Sequence, residues 1–142
     1  MRDPERPEET ASLAAQLWHI EQIHQLKARY FRAVDTKDWE LLESVFTPDA
    51  VLEVGGNRRD GRDEILSVMR TRLTPLRTVH HGHMPEITIT GADTATGIWS
   101  MFDVLIDDRD GSRREGFGHY HEDYVLADGR WQIRHLRLVR AG

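Results

Sequence analysis

The sequence has no cysteine among its 142 residues, which excludes disulfides, thiol nucleophiles and cysteine-ligated zinc centres. It has no apolar run approaching the ~20 residues that a helix needs to cross a bilayer, so no membrane partner is expected. A basic cluster is missing too. Lys+Arg number 19 against 24 Asp+Glu, a net charge of −5, which argues against a nucleic-acid partner. No glycine-rich phosphate loop is present. The first residues lack the apolar core of a signal peptide, so a cytoplasmic location is expected.

What remains is ordinary globular material. A hydrophobic share of 39% with 30% charged residues suits a folded chain long enough to bury roughly two-thirds of its unfolded surface. Residues 1–10 are dominated by charge and proline and read as a disordered tail; residues 11–142 read as one domain. The eight histidines matter most for function, because imidazole is the side chain best suited to exchange protons near neutral pH.

From Thr10, Leu13, Leu17, Ile20, Ile23, Leu26, Tyr30 and Val34 recur at steps of three and four, predicting a helix to about Asp35. Asp38 reads as the cap of a short second helix carrying Trp39, Leu42, Val45 and Phe46. Thr47-Pro48-Asp49-Ala50 reads as a turn, and residues 51–54 as a short strand closed by Gly55-Gly56. Asp63 is expected to cap a third helix with Ile65, Leu66, Met69 and Leu73 on its apolar face. The period then changes to two. Strands are expected at 76–84 and 86–90, broken at Pro85, then at 94–107, 113–127 and 131–139, with hairpins at Asp108–Gly111 and Asp128-Gly129. Helices first and an antiparallel meander after them make an α+β fold. Residues 94–107 are largely apolar on both faces, Ile98, Phe102, Val104 and Ile106 on one of them. A second copy of the chain is the economical cover for that face.

Four groups could carry chemistry. Tyr30 lies on the apolar stripe of the first helix and Asp35 at its end. A core tyrosine and a loop carboxylate are the plain alternatives. In His80-His81-Gly82-His83, His80 projects to one face of a strand, and His81 and His83 to the other. Asp103 is a lone carboxylate on a face otherwise made of Ala, Gly, Trp, Met and Leu; it pairs either with an arginine or with an imidazole on the neighbouring strand. His119 and His121 share a face and, with His83, could compose a three-histidine metal site, although no metal is expected. Trp99, Met101, Phe117, His119 and Tyr120 are candidate substrate-binding residues.

The run from Ile23 to Trp39 (IHQLKARYFRAVDTKDW), the segment Phe46-Thr47-Pro48-Asp49-Ala50, the helix start at 61–69 and the closing Asp128-Gly129-Arg130-Trp131-Gln132-Ile133 resemble the SnoaL-like family of the nuclear transport factor 2-like superfamily. The likeness spans roughly residues 17–138. It implies a cone-shaped α+β barrel, with three helices on a curved, mostly antiparallel sheet around a deep pocket. Within that superfamily the polar residues are most similar to those of scytalone dehydratases and bile acid 7α-dehydratases. The resemblance places Tyr30 and Asp35 at the end of the first helix, His80 (or His81) on the strand after the third helix, and Asp103 as a supporting acid. It implies a cofactor-independent lyase or isomerase, foremost a dehydratase, acting on a hydrophobic oxygenated small molecule. Aldol-type cleavage, cyclisation of the polyketide-cyclase kind and a non-catalytic binding or assembly module are the alternatives. It also implies a homo-oligomer, a trimer ahead of a dimer.

Overall fold

The computed structural model describes residues 7–141, with side chains from residue 12 onward. Residues 1–6 of the expected tail lie outside the described residues. The first helix already begins within the expected tail, at Pro7, where proline's fixed φ is compatible with a first helical turn. Helix α1 (Pro7–Thr36) is followed by α2 (Trp39–Val45), β1 (Phe46–Val54), β2 (Asn57–Asp60), α3 (Arg62–Leu73), β3 (Leu76–Ile89), β4 (Thr94–Asp107), β5 (Ser112–Ala127) and β6 (Arg130–Arg140). The six strands form one sheet in the order β2-β1-β6-β5-β4-β3. All neighbours are antiparallel except β1 and β6. The chain thus adopts the expected α+β cone, left open with β2 and β3 at its edges. No helix among the described residues is long and apolar enough to cross a membrane.

Helix α1 lies on the inner face of the sheet through Ile23, Leu26, Ala33 and Val34, all at most 1% exposed. Its earlier stripe is not core: Leu13 and Leu17, with Trp18, are exposed, and that half of the helix meets the sheet through His19, whose Nδ1 accepts from the Trp131 indole at 3.0 Å. The helix stops in a Schellman-type turn. The Asp38 amide donates to Ala33 O at 2.9 Å and the Lys37 amide to Val34 O at 3.3 Å, with Lys37 in the left-handed region (φ 57°). Asp38 then caps α2 by accepting from the Leu41 amide at 3.1 Å. This double cap fixes the direction of the last turn of α1, which carries Asp35.

Three boundaries differ from the sequence reading. Residues 47–50 are no turn; they bulge within β1, which pairs with β6 at Phe46↔Ile133 and resumes at Val51↔His135. Pro85 does not break β3 either. The strand runs through it with a register shift between His83 and Glu86, a bulge where the missing N–H costs no ladder bond. Gly61, not Asp63, stands at the start of α3. The short β2 has no apolar alternation to reveal it in NRRD.

One buried ion pair fastens α1 to the sheet. Lys27 Nζ lies 2.7 Å from Glu122 Oε2, both side chains fully buried. Tyr124 donates its hydroxyl to Glu122 Oε1 at 2.7 Å and receives the Trp99 indole N–H at 2.9 Å. The ammonium also sits over the Tyr120 and Tyr30 rings, 3.6 and 3.9 Å from their centroids. Burial lowers the Lys27 pKa to about 8, against the opposing pull of Glu122. The folded value thus lies below the unfolded one of 10.5, so the unfolded chain binds more protons between them and Lys27 makes stability rise with pH over that interval. Lys27→Met is expected to cost about 3–5 kcal/mol in urea denaturation because it strands the Glu122 carboxylate. Lys27→Met with Glu122→Gln should recover part of that loss and lack the rise between pH 8 and 10.

Candidate active site

The last turn of α1 delivers Asp35 to the edge strand β3, where its carboxylate meets three donors. Thr78 Oγ1 donates to Oδ1 at 2.9 Å, the His80 amide donates to Oδ2 at 2.9 Å, and His80 Nδ1 stands 2.7 Å from Oδ1. Thr78 and His80 are alternate residues of a strand and so share its inner face. With Asp35 ionised, the imidazole proton belongs on Nδ1 and the lone pair on Nε2. Nε2 points across the β3–β4 ladder, where His80 and Asp103 are paired residues, and lies 3.9 Å from Asp103 Oδ2.

Asp103 is 1% exposed and its charge is matched from two strands away. Arg140 on β6 reaches over β5 and donates from Nη1 to Oδ1 at 3.2 Å and from Nη2 to Oδ2 at 3.0 Å, and Asp103 in turn holds the guanidinium more firmly protonated. The crossing is possible because residue 116 is glycine. A Cβ there would overlap both Asp103 Oδ1 and Arg140 Nη1. Of the two partners considered for Asp103, arginine makes the hydrogen bonds and the imidazole stands within electrostatic reach.

These groups line a cavity of about 590 Å³ with Tyr30, Tyr120, Arg140 and apolar side chains from α3, β1 and β6. Asp35 stands behind the imidazole rather than on the wall. Tyr30 and Tyr120 are pushed to ionise well above the usual phenol range, chiefly by burial, with Glu122 adding for Tyr30 and the Tyr30 hydroxyl for Tyr120. Both are therefore neutral O–H donors at physiological pH. The cavity thus presents one imidazole lone pair, a hydrogen-bonded pair of phenols and an arginine-bound carboxylate among apolar side chains, the equipment for moving a proton from carbon and stabilising charge on oxygen.

The expected substrate contacts divide. Tyr120 lines the cavity. Trp99 and Met101 are inner-face residues but not cavity wall: Phe31 of α1 packs on Trp99 at 6.5 Å between ring centroids, and the indole is spent on Tyr124. Phe117 and His119 are corrected outright. Strand alternation turns Gly116, Gly118 and Tyr120 inward, so Phe117 (55% exposed) and His119 face outward. His81 and His83 also face out, which leaves His80 as the inward histidine of its run. No group of three or more His, Asp or Glu is gathered for a metal ion among the described residues.

Arg140, Thr78, Gly116, Lys27 and Glu122 were missed. Thr78 carried a signal, two residues from His80 on a strand. Arg140 carried none, since its contact with Asp103 depends on the strand order.

The SnoaL-like domain profile matches residues 15–137, and the chain belongs to that family. Among solved structures, it is similar to Rv3472 of Mycobacterium tuberculosis, a protein of unknown function (25% identity, 91% of this chain and 75% of that one, TM-score 0.82). It is similar also to a scytalone dehydratase-like protein from Novosphingobium aromaticivorans (19% identity, 92% and 89%, TM-score 0.86). A third is the hexachlorocyclohexane dehydrochlorinase LinA-type3 from Novosphingobium barchaimii (20% identity, 89% of each chain, TM-score 0.80). All three share the fold of this chain.

Gly116→Ala is expected to separate Asp103 from Arg140 and to cost about 1–3 kcal/mol, the usual penalty of overpacking. Urea denaturation measures the loss. A stable variant with an unchanged Asp103–Arg140 contact would contradict the steric argument.

Proposed function

We propose that this protein is an acid/base lyase or isomerase, foremost a dehydratase, for a hydrophobic oxygenated small molecule bound in the cavity. The observation that carries the reading is the Asp35–His80 pair, 2.7 Å at Nδ1, with Nε2 open to the cavity. In this mechanism Nε2 removes a proton from the carbon beside a carbonyl or phenolic group. Asp35 holds the tautomer and offsets the charge of the imidazolium. The Tyr30–Tyr120 pair donates to the oxygen on which negative charge develops. The proton held on Nε2 passes to the departing hydroxyl, which leaves as water as the C–O bond breaks and the double bond forms. Aldol-type cleavage or cyclisation uses the same groups and differs in the bond broken. The dehydratase-like and dehydrochlorinase neighbours support elimination first.

The outer face of the sheet supports a homo-oligomer, a trimer as its expected form. Of the apolar residues expected on that face, Ile98 is 38% exposed and Val104 is buried; Val79, Val139 and Phe117 are 41–55% exposed there too, and Phe117 lies against Phe102 at 5.3 Å between ring centroids. Covering this face with other copies removes apolar surface from water. Light scattering at micromolar concentration should return a multiple of the 16.5 kDa chain mass, and a monomer would reject the arrangement.

The catalytic reading is tested by following conjugated-product absorbance with a panel of β-hydroxy ketones and hydroxylated tetralones. His80→Ala and Asp35→Asn should each lower the rate by roughly two to four orders of magnitude, and chelators should leave it unchanged. His80→Ala should stay folded and lose no more than about 1 kcal/mol, since Asp35 keeps the Thr78 hydroxyl and the residue-80 amide as donors. Asp35→Asn should lose about 1–2 kcal/mol with its three-donor set. Unfolding of His80→Ala, or activity restored by metal after chelation, would overturn the mechanism.

A further inference from the structure

We propose that the substrate carries an anionic group, a carboxylate or a phosphate, held by Arg72 and Arg114 at the mouth of the cavity. The inference rests on the same cavity being the reaction site, but it concerns the end of the ligand away from His80. Arg72 belongs to the last turn of α3 and Arg114 to β5. Both border the 590 Å³ cavity and also an adjoining hollow of about 470 Å³, which shares Leu76 and Leu105 with it.

The two arginines differ from their neighbours in having no carboxylate. Arg77 is bound to Asp108, Arg109 to Asp107, Arg113 to Glu115 and Arg140 to Asp103. Among the described residues, neither Arg72 nor Arg114 appears in any ion pair or side-chain hydrogen bond. The carboxylates on the walls of the two hollows are Asp103 and Asp107, each already neutralised by its own arginine. Two uncompensated positive charges therefore face one opening, in a chain whose net charge is −5. The overall charge would repel an anion, so its capture needs a local site of this kind. A guanidinium fork matches the two oxygens of a carboxylate or phosphate.

The spacing fits a reaction at the other end. Arg114 is two residues along β5 from Gly116, which pairs with Asp103, and two residues of strand span about 7 Å. An apolar body of one or two rings bridges that length. Anchoring its anionic head at the mouth sets which carbon meets Nε2.

The test uses 2-naphthoate, 2-naphthamide and 2-naphthyl phosphate as probes in calorimetric titrations of the wild-type protein, the Arg72→Gln/Arg114→Gln variant and His80→Ala. Both arginines are exposed, so the double variant should keep its fold, which its unfolding midpoint checks. At least one anion should bind about tenfold or more tightly than the neutral amide, with the advantage shrinking at roughly 0.5 M salt. That advantage should vanish in the double variant and persist in His80→Ala. The tighter of the two anions identifies the head group. An amide that binds as well as both anions, an advantage that survives the double variant, or no binding of either anion would overturn the proposal. The acid/base reading fails by a different result, unchanged turnover in His80→Ala.

Discussion

The structure depends on where one carboxylate lands. Asp35 gathers Thr78 Oγ1, the His80 amide and His80 Nδ1, and so joins the last turn of α1 to a strand that has, among the described residues, no neighbour on its other side. The same contacts close the cone and orient the imidazole. A helix end shifted by one residue would turn the carboxylate about 100° around the axis and lose both. The double cap at Lys37 and Asp38 is thus part of the site, although neither residue touches the cavity.

The Lys27–Glu122 pair is the second fastening, two helical turns back from Asp35. A buried ion pair is a weak source of net stability but an exacting one for register, because any slip strands two charges. Here the ammonium also underlies the Tyr30 and Tyr120 rings, so the fastening of α1 and the placement of the phenolic donors are one arrangement. Burial keeps those phenols protonated.

Much of this was legible in the sequence, for identifiable reasons. Strand alternation sets His80 apart from His81 and His83 and puts Asp103 on the face of Trp99 and Met101, the pairing of His80 with Asp103 then joins those faces, and the helical stripe carries Tyr30 inward. Alternation also denies Phe117 and His119 the cavity, so their expected role conflicted with the parity of Tyr120. Trp99 and Met101 obey parity and still miss the cavity, because α1 covers that part of the sheet; parity gives a face, not the depth along it. Arg140 could not be read at all. Its partner lies 37 residues away across an intervening strand, a contact that exists only once the order β4-β5-β6 and the missing Cβ at Gly116 are known.

The central claim is that Asp35 holds His80 with its proton on Nδ1 and its lone pair on Nε2. Nitrogen-detected NMR of the imidazole, recorded where the ring is neutral, reads that tautomer directly and needs no substrate. The account predicts a protonated Nδ1 with a downfield-shifted proton and an unprotonated Nε2, and a tautomer no longer fixed in Asp35→Asn. A proton on Nε2 in the wild-type protein would contradict it, because no lone pair would then face the cavity to act as base.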